Sequence, residues 1–168
     1  MKGLSLLAFV LVLGLCGIAS AQTRQPTTSI RPFVVKTDQS REELEKTLRT
    51  DNKVEELIGG SGMQLRVAIQ HDKLRENSEA ELHDDSDDVY YVLEGSAQLT
   101  LGGTLEAPRE ASPGEWRSKK INGGTTFEIK EGDLIVVPRG TPHQRNSTRG
   151  KEFTMILIKV FKEPMKAS

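Results

Sequence analysis

The sequence predicts an all-β protein: a single small barrel or sandwich of strands, with one short helical segment in front of it. Two observations indicate this class. Segments with apolar residues at alternate positions recur from residue 63 onward, which is the pattern of half-buried strands. Groups of Gly, Pro, Asn and Asp separate these segments, and many short strands at close spacing are typical of barrels and sandwiches.

The composition fits one globular domain and excludes several classes of protein. The chain has 168 residues, with 23 Lys and Arg against 24 Asp and Glu and a net charge of −1. This balance gives no long-range field that would attract nucleic acid or an anionic membrane, so neither partner is expected. With one cysteine and three histidines, the sequence also disfavours haem proteins, zinc ribbons and disulfide scaffolds.

The first 21 residues have the pattern of a cleaved signal peptide. Lys2 precedes an uncharged, mostly apolar stretch over residues 4–15, and Ala19 and Ala21 are small residues at the positions that a signal peptidase recognises. We expect cleavage after Ala21 and a secreted or periplasmic protein. The apolar stretch is short for a membrane anchor. A lipid anchor on Cys16 is the alternative that the sequence disfavours.

Two segments are expected to precede the barrel. Residues 22–38 mix Thr, Pro, Gln and Arg without a period and predict a flexible lead-in. Ser40 and Glu43 then form a capping box, which predicts the start of a helical segment over residues 39–60. Its second short turn, over residues 54–58, is followed by two glycines. We expect the apolar side chains of this segment to pack on the sheet.

The barrel is expected to occupy residues 61–163, with a short tail over residues 164–168. The last strand-like segment of the barrel, residues 153–161, is apolar enough to support a homodimer. Residues 105–120 predict one long polar connection. The segments with the character of strands are residues 63–70, 89–93, 97–101, 125–129, 134–137 and 153–161.

Two of the three histidines lie in informative contexts. Glu81 and His83 would share one face of an extended strand, about 7 Å apart along it. Asp88 follows an acidic turn and opens the next strand, so it can face the same interior. His143 follows a strand and a tight turn at residues 138–140. These residue types, brought together, are those that hold a divalent ion.

These two segments resemble the two signature motifs of the cupin superfamily. In the first, His83 matches the second histidine and Gly95 the closing glycine, whereas Glu81 and Asp88 replace the first histidine and the glutamate. In the second, Ser147 replaces the final asparagine. The residues in register with the second motif are Gly132, Pro138, Gly140 and His143. The resemblance covers residues 63–161 and implies a single cupin β-barrel of the jelly-roll type.

The resemblance also implies a metal site. Its ligands would be two imidazoles and two carboxylates, which can hold a divalent ion. Two negative ligands favour Fe or Mn, with Zn or Ni as alternatives. An ion would also offset the repulsion between two carboxylates inside a barrel. The alternative is a cupin without its metal, in which these groups line a wet mouth. The four ligands are Glu81, His83, Asp88 and His143.

Two further residues are candidate catalytic groups. Tyr90 lies two residues after Asp88 and therefore faces the same side of the strand, so it could place a hydroxyl in the cavity. The alternative is that Tyr90 only packs in the core. Arg145 has the parity of His143 and could hold an anionic substrate near the metal, with a surface position as the alternative. His71, in a polar segment at the end of a strand, is expected to be solvated.

The implied function is that of an exported, metal-dependent enzyme acting on a small molecule, as an oxygenase-like protein with dioxygenase or isomerase chemistry. A non-catalytic cupin module that binds a small molecule or a sugar is the alternative, and a storage or structural role is a third. The sequence has no Ser/His/Asp arrangement, no cysteine after cleavage and no Gly-rich phosphate loop. Catalysis would therefore depend on the metal.

Overall fold

The structure is a computed structural model that describes residues 34–50, 52–148 and 151–166. The predicted signal peptide and residues 22–33 of the predicted lead-in lie outside these ranges. No helix in the described part of the chain is long and apolar enough to cross a membrane. Its elements are α1 (Asp38–Leu48), β1 (Lys53–Ile58), β2 (Leu65–Asp72), β3 (Ala80–His83), β4 (Ser86–Leu101), β5 (Thr104–Leu105), β6 (Arg109–Ser112), β7 (Glu115–Ser118), β8 (Ile121–Asn122), β9 (Thr125–Lys130), β10 (Leu134–Val137), β11 (His143–Ser147) and β12 (Phe153–Phe161).

Helix α1 begins one turn before the predicted capping box. Thr37 is its N-cap, and the Thr37 hydroxyl oxygen accepts a hydrogen bond from the backbone N–H of Ser40. Asp38 lies in the first turn, where the partial positive charge of the helix N-terminus stabilises a carboxylate. At the other end Leu48 is buried, and the helix packs against the first two strands.

The second half of the predicted helical segment 39–60 is wrong, because residues 53–58 form strand β1. This strand pairs antiparallel with β2. The loop between them contains Gly60 and Gly62 at φ values of 120° and 76°, which glycine adopts without steric cost. The chain therefore reverses, and β1 pairs with backbone groups that would otherwise form an open edge of β2.

Strand β4 is continuous where the sequence predicts two strands. It passes through Gly95, whose φ is 79°. A Cβ atom at this position would lie 1.9 Å from the carbonyl oxygen of Glu152, so only glycine fits. The first half of β4 pairs with β10 and β12, and the second half with β9 and β11.

Two groups of antiparallel strands share β4 and surround the core, which confirms the all-β prediction. One contains β1, β2, β12, β4 and β10, and the other contains β9, β4, β11, β3, β7 and β6. The predicted long polar connection over residues 105–120 is wrong, because β6 and β7 extend the second group by pairing with β3. Alternation is hard to see in such short strands, and pairing with β3 stabilises them.

The interior changes from apolar to polar along the barrel. On β12, Leu157 is followed at the same parity by Lys159, and on β4, Tyr90 is preceded by Asp88; all four are buried. Buried polar groups require partners, so this end of the barrel is where a site is expected. The apolar cluster consists of Tyr90, Val92, Ala97, Leu99, Ile129, Val137, Phe153, Met155 and Leu157.

The outer face of the first group of strands is partly apolar. Leu134 of β10 lies opposite Tyr91 of β4, and both side chains are exposed. Val136 of β10 and Val160 of β12 are exposed as well. Contiguous apolar surface often marks an interaction site, but the expected homodimer stays a prediction.

His71 is completely buried, so the expectation of a solvated histidine is wrong. Strand β2 continues through residue 72, and pairing with β12 places His71 opposite Thr154. The Nδ1 atom lies 2.8 Å from the hydroxyl of Thr154, and Nε2 lies 3.8 Å from a carboxylate oxygen of Glu152. Burial lowers the pKa of His71 below its ordinary value of 6.5, and this outweighs the opposing effect of Glu152.

We expect this histidine to destabilise the protein as the pH falls below 6.5. In that range the unfolded chain binds a proton at His71 before the folded chain does, so the free energy of unfolding falls until the lower folded-state pKa is passed. His71→Gln replaces the imidazole with an amide, which does not bind a proton in this pH range. The stability difference between wild type and His71→Gln, measured by urea denaturation, should therefore be smaller at pH 5.5 than at pH 7.5. A difference that stays constant or widens contradicts the prediction.

Candidate metal centre

The register of the strands brings the four predicted ligands to one end of the barrel. Glu81 and His83 occupy alternate positions of β3 and face the same side, as predicted. The turn at residues 138–140 returns the chain toward β3, and its last backbone N–H donates to the carbonyl oxygen of His83 at 2.8 Å. His143 then begins β11 opposite Glu81. Asp88, near the start of β4, faces the same interior.

Donor atoms of Glu81, His83 and His143 all lie within 4.8 Å of one another. Asp88 lies beside both imidazoles but outside this cluster. The Nε2 atom of His83 lies 3.8 Å from Glu81 Oε2 and 3.4 Å from Asp88 Oδ2. The Nε2 atom of His143 lies 4.0 Å and 3.9 Å from the same two oxygens. Ligands at about 2.1 Å from a tetrahedral ion stand about 3.4 Å apart, so these separations are close to those of a metal site. Glu81, His83 and His143 form a cluster that could hold an ion.

Hydrogen bonds to the other ring nitrogens orient both imidazoles. His143 Nδ1 donates to the carbonyl oxygen of Thr141 at 3.0 Å, and His83 Nδ1 donates to the carboxylate of Glu115 at 2.7 Å. Because both acceptors lack a proton, each neutral ring has its lone pair on Nε2. Both Nε2 atoms are buried and lack a hydrogen-bond partner among the described residues. An unpaired buried polar atom costs about 1–3 kcal/mol, and a cation is a partner that lone pairs can bind. The donor set therefore fits a metal.

Burial and neighbouring charges shift the pKa values of the site residues in different directions. Burial lowers the pKa of His143. Burial also disfavours protonation of His83, but the carboxylates of Asp88 and Glu115 outweigh it and raise the pKa of His83 to about 8. Burial alone would raise the pKa of Asp88, yet His83 and Lys159 hold it well below its usual range. Near neutral pH, a metal would therefore displace a proton from His83.

Lys159 is a site residue that sequence analysis missed. Its Nζ atom lies 2.7 Å from Asp88 Oδ1, and the residue is only 9% exposed. The sequence contains an indication of this role, because Lys159 follows Phe153, Met155 and Leu157 at alternate positions of one strand. A lysine on such an inward, apolar face needs a buried partner. The ammonium offsets one of the two carboxylate charges on which the preference for Fe or Mn was based.

Glu115 is a second site residue that sequence analysis missed. It lies opposite His83 because β7 pairs with β3. The hydrogen bond with His83 lowers the pKa of Glu115, although burial alone would raise it. Glu115 lies within the segment predicted as a polar connection. No alternation of apolar residues there indicates a strand, so the pairing with β3 could not be predicted.

We expect Glu115→Gln to weaken the binding of a divalent ion by about 10- to 100-fold. The amide oxygen can still accept from His83 Nδ1, but the loss of charge makes the imidazole a poorer ligand. Calorimetric titration with Mn²⁺ or Zn²⁺ measures the effect. Glu128→Gln, on an exposed carboxylate of β9, is the matched control and should leave the affinity unchanged. Equal affinities in both variants would contradict this role of Glu115.

Tyr90 and Arg145 line the cavity, but both already have partners. The hydroxyl of Tyr90 donates to Asp88 Oδ2 at 3.1 Å, and burial, followed by the charge of Asp88, raises the pKa of Tyr90. Arg145 donates from Nε and Nη2 to Asp72 Oδ2 at 3.1 Å and 2.8 Å. The surface alternative for Arg145 is wrong, since the residue is buried. Catalytic roles for these two residues stay predictions.

The candidate ligands lie in a cavity of about 350 Å³. This volume is at the lower end of the range of small-molecule sites. Besides the residues described above, its lining includes the cationic side chains of Arg66, Arg75 and Arg117 and the apolar side chains of Met155 and Leu157.

Comparisons with known proteins find similarity in structure but not in sequence. No protein-family model matches the sequence, and no curated protein matches it. A protein of Bacillus halodurans has a similar structure, with a TM-score of 0.53 and 18% identity over 83% of this chain and 88% of that chain. A cupin protein from Bacteroides fragilis has a TM-score of 0.44 and 15% identity over 70% and 83% of the two chains. A recombinant oxalate oxidase in complex with glycolate has a TM-score of 0.47 and 16% identity over 68% and 53%.

Similarity at such low identity concerns the fold alone. Two features of this chain agree with it: the antiparallel strands that share β4, and the predicted motif residues that converge at one end of the barrel. The strand arrangement and the convergence of the predicted ligands therefore agree with the predicted cupin-type β-barrel fold.

Proposed function

We propose that this protein is an exported, metal-dependent enzyme that acts on a small molecule in an oxygenase-like reaction. One observation carries the proposal: the buried Nε2 atoms of His83 and His143 lack a hydrogen-bond partner among the described residues and lie beside Glu81. Two histidines and one carboxylate with open positions are typical of non-haem Fe(II) oxygenases. We propose Fe or Mn as the ion, with Zn or Ni as alternatives. When bound, it would supply Lewis-acid or redox chemistry.

The chain's own residues would complete the metal site and line the space for the substrate. Asp88 is proposed as a fourth ligand, with Oδ1 held by Lys159 and Oδ2 turned toward the imidazoles. Tyr90 keeps its proton at neutral pH and donates it in a hydrogen bond to Oδ2, which positions the carboxylate. Met155 and Leu157 form part of the cavity wall and would keep that side of the substrate dry.

A non-catalytic module that binds a small molecule or a sugar is the second candidate. The Asp88–Lys159 pair favours it, because a buried ammonium can neutralise a buried carboxylate without any ion. Shape and a few polar contacts are sufficient for binding, whereas catalysis would also need open positions on the metal.

One preparation tests both candidates. Protein purified without chelators should contain close to one iron or manganese per chain by elemental analysis. It is then incubated in air with small carboxylic acids, hydroxy acids and sugars, and followed by ¹H NMR. An enzyme consumes one of these compounds and stops when the metal is removed, whereas a binding module broadens ligand signals without consumption. Failure to bind any divalent ion, even on reconstitution, overturns the metal-dependent proposal.

Export is the part of the proposal that the sequence alone supports. The apolar stretch over residues 4–15 and the small residues Ala19 and Ala21 predict cleavage after Ala21. Expression in a host with a general secretory pathway should yield a chain that begins at Gln22, which mass spectrometry of the exported fraction measures. Val10→Arg, which interrupts the apolar stretch, should keep the full-length chain inside the cell. Recovery of only the uncleaved wild-type chain in the cytoplasm would contradict export.

A further inference from the structure

Arg75 and Arg117 flank Glu81 at the cavity. Arg75 Nη2 lies 3.3 Å from Glu81 Oε1, and Arg117 Nη2 lies 3.8 Å from Glu81 Oε2. Their side chains are 27% and 24% exposed, so both are partly accessible from solvent. Both residues line the cavity that contains the candidate ligands.

Five cationic side chains and three carboxylates line the cavity, and two of the cations, Arg145 and Arg66, pair with carboxylates outside this lining, Asp72 and Glu56. Two of the cations are fully engaged at short distance: Lys159 pairs with Asp88, and Arg145 pairs with Asp72. The five cationic side chains are Arg66, Arg75, Arg117, Arg145 and Lys159, and the three carboxylates are Glu81, Asp88 and Glu115.

Contacts of Arg75 and Arg117 with carboxylates are long. Besides Glu81, Arg75 has only Asp72 within 4 Å among the described carboxylates, at 3.8 Å, and Arg117 has Glu115 at 3.3 Å. A charge-assisted hydrogen bond is about 2.7–2.9 Å long. The carboxylate of a ligand is not attached to the backbone. It could therefore form shorter hydrogen bonds to these two guanidinium groups than the protein's own carboxylates do.

We propose that Arg75 and Arg117 bind the carboxylate group of a small anionic substrate, whose second carboxylate or oxygen group faces the candidate metal ligands. This inference rests on the proposed function, which turns the charge of Glu81 toward an ion and leaves the two guanidinium groups without the carboxylate that they share. Each guanidinium offers a planar pair of donors that matches a carboxylate. Sequence analysis predicts this role for Arg145, but the charge of Arg145 is neutralised by Asp72.

Calorimetric titration of Mn²⁺-loaded protein with succinate and malonate tests the proposal. At least one of these dianions should bind, and the uncharged diamide of the same acid should bind at least about tenfold more weakly, because hydrogen bonds to charged groups are the stronger ones. Arg75→Gln and Arg117→Gln should each weaken dianion binding by about tenfold or more. Arg109→Gln, at an exposed arginine paired with Glu79 outside the cavity, makes the same change of charge and should have no effect.

The manganese content of each variant separates failure of this inference from failure of the proposed function. If the wild type binds manganese but neither dianion, or if both arginine variants bind the dianion as the wild type does, the anion site is wrong and the metal proposal stands. If no variant binds manganese but a dianion still binds and depends on both arginines, the anion site stands and the metal proposal fails.

Discussion

Replacement of His143 by alanine should lower the affinity for a divalent ion by at least about 100-fold. Changing a residue that only supports a ligand typically costs 10- to 100-fold, and His143 would itself be a ligand, oriented by the carbonyl of Thr141. Equilibrium dialysis against Mn²⁺ or Zn²⁺ followed by elemental analysis measures the loss. Circular dichroism should show an intact fold, because the variant removes a polar side chain from the cavity and no part of the apolar core.

His71→Ala is the matched control for this variant. His71 is also a buried histidine with an unpartnered Nε2 atom, but the nearby carboxylate is Glu152 and it does not line the cavity. The control should keep the metal affinity of the wild type while losing stability. Equal metal binding by wild type and His143→Ala would remove His143 from the site, and equal losses in both histidine variants would point to general destabilisation.

The strands that carry the ligands could be predicted because short-range signals specify them. Glu81 and His83 share a face through simple alternation, and the turn at residues 138–140 marks the point where the next strand begins with His143. These features depend on residues within one strand or one turn. The same holds for the strand assignments at residues 134–137 and 153–161, which coincide with β10 and β12.

The residues that sequence analysis missed depend on pairing between distant segments. Glu115 becomes a partner of His83 only because β7 pairs with β3, and Arg117 reaches Glu81 through the same register. Residues 53–58 likewise have helical spacing but become a strand through pairing with β2. Tertiary pairing of this kind overrides local preference. The engagement of Arg145 by Asp72 also required the register of the folded sheet.

The Asp88–Lys159 pair gives the second large effect: Lys159→Met should destabilise the metal-free protein by about 3–5 kcal/mol. Methionine fills much of the volume of the lysine chain, so the loss is chiefly electrostatic. Removing one partner of a buried pair leaves an uncompensated charge, which is costly, and Asp88 is only 3% exposed. Tyr90 and His83 still face Asp88, so we expect a value near the lower end. Urea denaturation in the presence of a chelator measures it.

Two further measurements separate lost charge balance from lost packing. Lys159→Met with Asp88→Asn removes both charges and should recover much of the stability, because the remaining amide is neutral. Saturating Mn²⁺ should also recover part of the loss in Lys159→Met, since an ion that binds only the folded state stabilises it and would replace the missing positive charge beside Asp88. Recovery in the double variant without any recovery by metal would mean that Asp88 is a structural ion-pair partner and not a ligand. If stability recovers in neither case, the loss is due to packing around residue 159.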